Sequence, residues 1–157
     1  MIEGEFFRVL LDEAKQTQDP EGAVAACLVW QGEIVAVSSS AEDGVRHAED
    51  LVIEIANKSG FVPDSDAILF TTLEPCCYRS PRNGVRDCTT IIINAGIRRV
   101  CFAAPDPNFS VGARERFEEA GVVVEQIGDE EIVREATDVF NGSITKPVTC
   151  MGTSRKL

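Results

Sequence analysis

Apolar residues recur along this chain with two different periods, and the switches between them lay out a layered α/β domain. Phe7, Leu10, Leu11 and Ala14 repeat at helical spacing, with Glu5, Arg8, Asp12 and Lys15 outside that stripe. Residues 3–18 are therefore expected to form a helix that covers one face of a sheet. Asp19-Pro20-Glu21-Gly22 stops it. Residues 23–30 and 33–38 are apolar, strand-like runs joined at Gln31-Gly32, a hairpin signal. A polar stretch follows, and then Ala48, Leu51, Val52 and Ile55 return to helical spacing over residues 47–58, closed by Ser59-Gly60.

The second half reads as alternating strand and helix. Residues 67–72 form a short strand, and Pro75 just beyond cannot continue a central strand. After a polar loop, residues 88–95 form a helix capped by Asp87 and closed by Gly96. Strands are expected at 98–104 and 122–126, with a helix over 111–120 between them and an acidic helix over 129–140 at the end. Strand–helix–strand spacing of this kind implies parallel crossovers. Cys27 and Cys101 sit inside strand runs and read as small core residues. Trp30, beside the hairpin turn, reads as a packing residue.

Composition narrows the functional classes. The chain has 157 residues, enough for one domain of residues 1–145 with a tail over 146–157. Lys and Arg total 15 against 26 Asp and Glu, a net charge of −11. Such a field repels a phosphate backbone, so a nucleic-acid surface is not expected. No apolar run reaches membrane length and no signal peptide opens the chain, so no membrane partner is expected either. Six cysteines then fit a reducing cytoplasm better than a disulfide framework. The expected partner is a small heterocyclic amine, and the expected assembly a homo-oligomer.

The chemistry is concentrated in two places. His47, the only histidine, lies in Arg46-His47-Ala48-Glu49, and the second cluster is Glu74-Pro75-Cys76-Cys77 with Cys88 further on. One imidazole and two thiolates suit zinc with a fourth position left open, and a carboxylate that is not a ligand can move protons beside it. His47 and Glu49 are placed at a helix N-terminus and Cys76 just beyond a strand, while Cys88 opens another helix, where a thiolate is favoured. Cys77 remains a rival to Cys76 for the second position.

These residues carry a family resemblance. The stretches His47-Ala48-Glu49, Thr72-Leu73-Glu74-Pro75-Cys76, Asn94-Ala95-Gly96-Ile97 and Asp106-Pro107-Asn108 resemble the deaminase domain of the bifunctional riboflavin-biosynthesis deaminase/reductase, within the zinc-dependent cytidine deaminase-like superfamily. The resemblance implies a three-layer α/β/α fold with a mixed five-stranded sheet and an initial hairpin. It also implies a zinc cofactor on His47, Cys76 and Cys88, with Glu49 as the catalytic proton carrier. Its substrate would be a ribosylated diaminopyrimidinone phosphate or a related aminopyrimidine.

The chain departs from its relatives in two places. Eleven residues separate Cys76 from Cys88, three more than the family loop, and Asp19 stands before Pro20 where an Asn that helps hold substrate is common. The long loop carries Tyr78, Arg79, Arg82 and Arg86, and Arg82 and Arg86 are candidates for reading an anionic substituent. Asp106 and Asn108 are candidate substrate residues that could equally serve as a turn and helix cap. Rival functions share the core: a nucleoside, nucleotide or purine-base deaminase, an RNA-base deaminase, or a zinc-stabilised binding module without activity. An RNA-base deaminase calls for basic flanks, and a structural zinc site needs no proton carrier such as Glu49.

Overall fold

The computed structural model describes residues 2–78 and 86–145. The chain runs α1 (Glu3–Ala14), β1 (Ala25–Trp30), β2 (Glu33–Ser39), α2 (Ala48–Lys58), β3 (Ile68–Leu73), α3 (Cys88–Asn94), β4 (Arg99–Ala104), α4 (Ala113–Glu119), β5 (Val123–Gln126) and α5 (Glu130–Ser143). The five strands form one sheet in the order β2-β1-β3-β4-β5. β1 is antiparallel to both β2 and β3, whereas β3, β4 and β5 are parallel. Helices α1 and α5 pack on one face, and α2, α3 and α4 form a row on the other. This is the three-layer, mixed-sheet architecture that the residue pattern and the resemblance led us to expect.

The apolar stripes do the packing. α1 buries Phe6, Phe7, Leu10, Leu11 and Ala14, and both phenylalanines rest on Phe70 of β3, with ring centroids 4.9 and 5.7 Å away. Rings at these separations add to the burial of their area. Cys27 and Cys101 are buried in strands, as expected of core residues. Trp30 stacks edge-on against Phe61, and its indole N–H donates to Asp64. It is a packing residue with a satisfied polar tip.

Two helix ends differ from the sequence expectation, each for a local reason. α1 stops at Ala14 rather than 18, because Gln16 and Thr17 turn tightly onto the carbonyls of Glu13 and Ala14. The Thr17 hydroxyl then donates to the Ser40 carbonyl at 2.7 Å, pulling the chain toward the sheet. α5 instead runs past Phe140 to Ser143, whose hydroxyl accepts the Ala23 N–H at 2.6 Å and ties the helix end to the approach of β1. The tail over 146–157 lies outside the described residues. No helix of the described residues is long and apolar enough to cross a membrane.

The arrangement brings four chain segments to one place. β3 and β4 are parallel neighbours, so the turns after Leu73 and Ala104 emerge on the same side of the sheet. The N-termini of α2 and α3 arrive beside them, and the crevice outside the carboxyl ends of parallel strands is where open α/β sheets bind ligands.

Candidate active site

His47 is the N-cap residue of α2, with extended backbone, and Glu49 falls within the first turn. Cys76 lies three residues past the end of β3, and Cys88 is the first residue of α3. The Asp87 side chain caps α3 by accepting the Thr90 N–H at 3.0 Å. The cap fixes the residue immediately before a ligand candidate, so its effect reaches beyond helix stability.

From these positions the donor atoms converge. His47 Nδ1 lies 3.3 Å from Cys88 Sγ and 3.6 Å from Cys76 Sγ. All three donor atoms lie within 4.8 Å of one another. Tetrahedral zinc with ordinary Zn–N and Zn–S bonds would put its ligand atoms about 3.3–3.8 Å apart. The donor set and its spacing fit the metal, and three ligands leave a position open. Cys77 is not part of the group. Its thiol faces α4 instead, 3.8 Å from Arg116 Nη1, and its N–H donates to the Phe109 carbonyl at 2.7 Å. The residue after Cys76 is thus turned away by its backbone partner, and Cys76 is the thiol brought to His47 and Cys88.

The electrostatics separate these thiols from the others. Hydrogen bonding from Cys88 holds the Cys76 thiol well below its ordinary range, with the nearby imidazole of His47 acting in the same direction. Burial pushes Cys27 up to about 12, and burial, with the nearby carboxylates of Glu3 and Glu125 acting in the same direction, pushes Cys101 up to about 12. A thiol poised as its anion is a ligand, and one held protonated is filler. Glu49 is buried, and burial raises its carboxyl above the usual range. Its Oε2 lies 3.6 Å from Cys88 Sγ, and its Oε1 faces the Thr71 hydroxyl at 3.2 Å.

A pocket opens beside this cluster, lined among others by Asp19, Glu21, Ser40, His47, Glu49 and Glu74. Asp19 is almost fully buried and accepts the Glu21 N–H at 2.9 Å. Asp19 therefore stands within the pocket wall. Glu74 accepts the Asp106 N–H at 3.0 Å, and burial raises its carboxyl. Asp106 is itself buried and takes the Asn108 and Phe109 N–H groups on Oδ1 at 3.0 and 3.2 Å, the turn-capping role that the sequence allowed. Neither Asp106 nor Asn108 is among the residues lining the pocket; Asp106 touches its wall through Glu74, and Asn108 is bonded to Asp106. Arg86 is exposed just before the cap of α3. Arg79 and Arg82 lie outside the described residues.

Three contributors were not singled out from sequence. Thr71 sits on the face of β3 that meets α2, which strand alternation could have indicated. Glu74 was noted only as part of a motif. Arg116 joins the site from α4 and carries no sequence signal for that role.

The fold and the His/Cys/Cys group together define the class: a metal-centred α/β domain of the cytidine deaminase type. The sequence matches the family described as the cytidine and deoxycytidylate deaminase zinc-binding region over residues 2–104, and the chain belongs to this family. Zinc is thus the metal that the group is built for. The chain is 32% identical over 152 residues to the riboflavin biosynthesis protein RibD of Aquifex aeolicus, covering 92% of this chain and 40% of that protein. It is 36% identical over 126 residues to RibD of Corynebacterium ammoniagenes, covering 79% of this chain and 35% of that one. The chain thus spans about two fifths of the length of these relatives.

Among solved structures, it superposes on a diaminohydroxyphosphoribosylaminopyrimidine deaminase/5-amino-6-(5-phosphoribosylamino)uracil reductase from Thermotoga maritima with a TM-score of 0.75 at 30% identity. That match covers 87% of this chain and 38% of the other. The Rib2 deaminase of Aspergillus oryzae shares the fold with a TM-score of 0.73 at 22% identity, over 90% of this chain and 92% of that one.

Proposed function

We propose that this chain is a zinc-dependent hydrolytic deaminase acting on an aminopyrimidine of the riboflavin-pathway type, a ribosylated diaminopyrimidinone phosphate or a close relative. The observation that carries the reading is the buried carboxylate of Glu49, held 3.6 Å from a proposed ligand sulfur and open to the pocket. A structural metal site has no use for such a group. The similarity to RibD proteins and to the Thermotoga maritima enzyme supports the substrate class.

In this reading His47 Nδ1, Cys76 Sγ and Cys88 Sγ hold the metal. When bound, zinc polarises a water and brings its pKa toward neutral. Glu49 takes a proton from the attacking water and delivers it to the ring nitrogen next to the amine-bearing carbon. It then takes the second proton, from the hydroxyl now on that carbon, and passes it to the departing amine; the C–N bond breaks as the C=O forms, so that water enters, ammonia leaves and an oxo group replaces the amine. Thr71 orients the carboxylate throughout. Asp19 and Glu74 present acceptors toward ring N–H and amino groups, while Arg82 and Arg86 are assigned to an anionic substituent.

The assembly proposed is a homo-oligomer acting on a small molecule in the cytoplasm, and light scattering of the purified protein tests the oligomer. A mass-spectrometric screen of zinc-loaded protein tests the activity, offering ribosyl aminopyrimidines with and without phosphate, cytidine, deoxycytidylate and guanine. Amine-to-oxo conversion of the ribosyl aminopyrimidine phosphate is expected. Turnover confined to cytidine, deoxycytidylate or guanine would move the chain to a nucleoside, nucleotide or purine-base deaminase.

A further inference from the structure

The two thiols of the metal group are joined by a loop of eleven residues, and its two ends meet on one guanidinium. Arg116 Nη1 donates to Asp87 Oδ2 at 2.9 Å and lies 3.5 Å from the Cys77 carbonyl oxygen. Its other terminal nitrogen, Nη2, donates to the Thr90 hydroxyl at 2.5 Å. Cys77 directly follows one proposed ligand, and Asp87 directly precedes the other. One side chain from α4 thus cross-links both mouths of the loop and the first turn of α3.

We infer that Arg116 is a positioning residue that sets the separation of the Cys76 and Cys88 sulfurs, and so governs how tightly the metal is held. The physical case starts from the loop. Closing a longer loop costs slightly more entropy, and a long connector imposes less on its ends than a short one. Eleven residues separate the two thiols here, so the connector by itself does little to fix their separation. A planar guanidinium suits the task because its fork can engage two acceptors at fixed angles, which a lysine ammonium on a flexible stem cannot do.

The rest of the geometry fits this division of labour. Backbone bonds already brace the sulfurs from within: Cys88 N–H points at Cys76 Sγ at 3.4 Å, and Thr89 N–H donates to the Cys76 carbonyl at 3.0 Å. Those contacts set the ligands' immediate surroundings. Arg116 adds the outer brace, which spans from before one ligand to after the other. Groups behind metal ligands commonly change metal affinity by roughly 10- to 100-fold when removed.

The inference rests on the zinc reading, and the test separates the two. Zinc affinity is measured by chelator competition on wild type, Arg116→Ala and Arg116→Lys, together with the thermal stability of each metal-free protein. Wild type is expected to bind one zinc. Arg116→Ala is expected to bind it about tenfold more weakly, at the lower end of that range, with metal-free stability close to wild type. Arg116→Lys should fall between the two, because an ammonium can satisfy Asp87 but not the whole set. Equal affinity in wild type and Arg116→Ala overturns the clamp, as does a loss of affinity matched by an equal loss of metal-free stability. If Arg116→Ala does not fold, Arg116→Lys decides: weaker binding than wild type supports the clamp, and equal binding overturns it. Failure of wild type itself to bind zinc would instead overturn the metal reading.

Discussion

The hydroxyl of Thr71 lies 3.2 Å from Oε1 of Glu49 and 3.1 Å from the Leu73 carbonyl, so its single proton is shared between the Glu49 carboxyl and the strand end before Cys76. Thr71 is fully buried and comes from the central strand β3, whereas Glu49 comes from α2. The strand thereby sets the rotamer of a carboxylate that burial would otherwise leave short of partners. Thr71→Val keeps the shape but removes the donor. It should lower kcat on the order of tenfold through misplacement of the carboxylate, and cost about 1–3 kcal/mol for the unsatisfied buried acceptor. Thr71→Ser should recover most of both. Wild-type kcat in the valine variant would leave Glu49 positioned by other contacts.

Glu49→Gln retains the size of the side chain but removes its ability to shuttle a proton. Zinc content and fold should persist while turnover falls by roughly a hundredfold or more, the scale of a lost general acid/base. Metal analysis and steady-state kinetics on the same preparation check both halves. Near-normal turnover would assign proton transfer to another group.

Purified protein should carry about one zinc per chain, as a single three-ligand site requires. Cys88→Ser should lose it, because its sulfur sits 3.3 Å from His47 Nδ1. Cys27→Ser and Cys101→Ser should retain it, since both thiols are buried in strands away from the metal group. Full zinc retention in Cys88→Ser would dismantle the proposed site.

The loop arginines bear on substrate choice. Arg86→Ala and Arg82→Ala should raise KM with little change in kcat, the pattern of binding lost equally from ground and transition states. Zinc content should not change. If both variants matched wild-type KM on every active substrate, specificity would have to come from the pocket wall around Asp19 and Glu74.

Gly22 lies between Asp19 of the pocket wall and β1, with φ of 122°, and a Cβ there would run into the Phe140 ring. Gly22→Ala should therefore destabilise the fold by about 2–4 kcal/mol, from overpacking and backbone strain together. Urea unfolding measures it. A loss within the error of wild type would mean that α5 shifts aside at no cost.

Much of this protein was legible in its sequence because the relevant physics is local. Periodicity marked the helices and strands, since each must bury one face, and Asp87 and Gly96 declared the ends of α3 through capping and positive φ. His47, Cys76 and Cys88 stood out as candidates because a borderline metal with an open position restricts its ligands to few residue types, and Glu49 because a carboxylate that is not a ligand can move protons beside such a site. The tertiary structure decided what depends on approach through space. It brought Cys76 rather than Cys77 to His47 and Cys88, because the Cys77 N–H is committed to Phe109, thirty-two residues later. It gave Asp106 a turn to cap, and placed Asp19 in the wall of the same pocket as Glu49. It also drew Arg116 across twenty-nine residues to Asp87. No spacing rule carries such contacts. They exist because parallel strands bring distant turns to one edge of the sheet, where side chains from separate helices must satisfy one another's charges and hydrogen bonds.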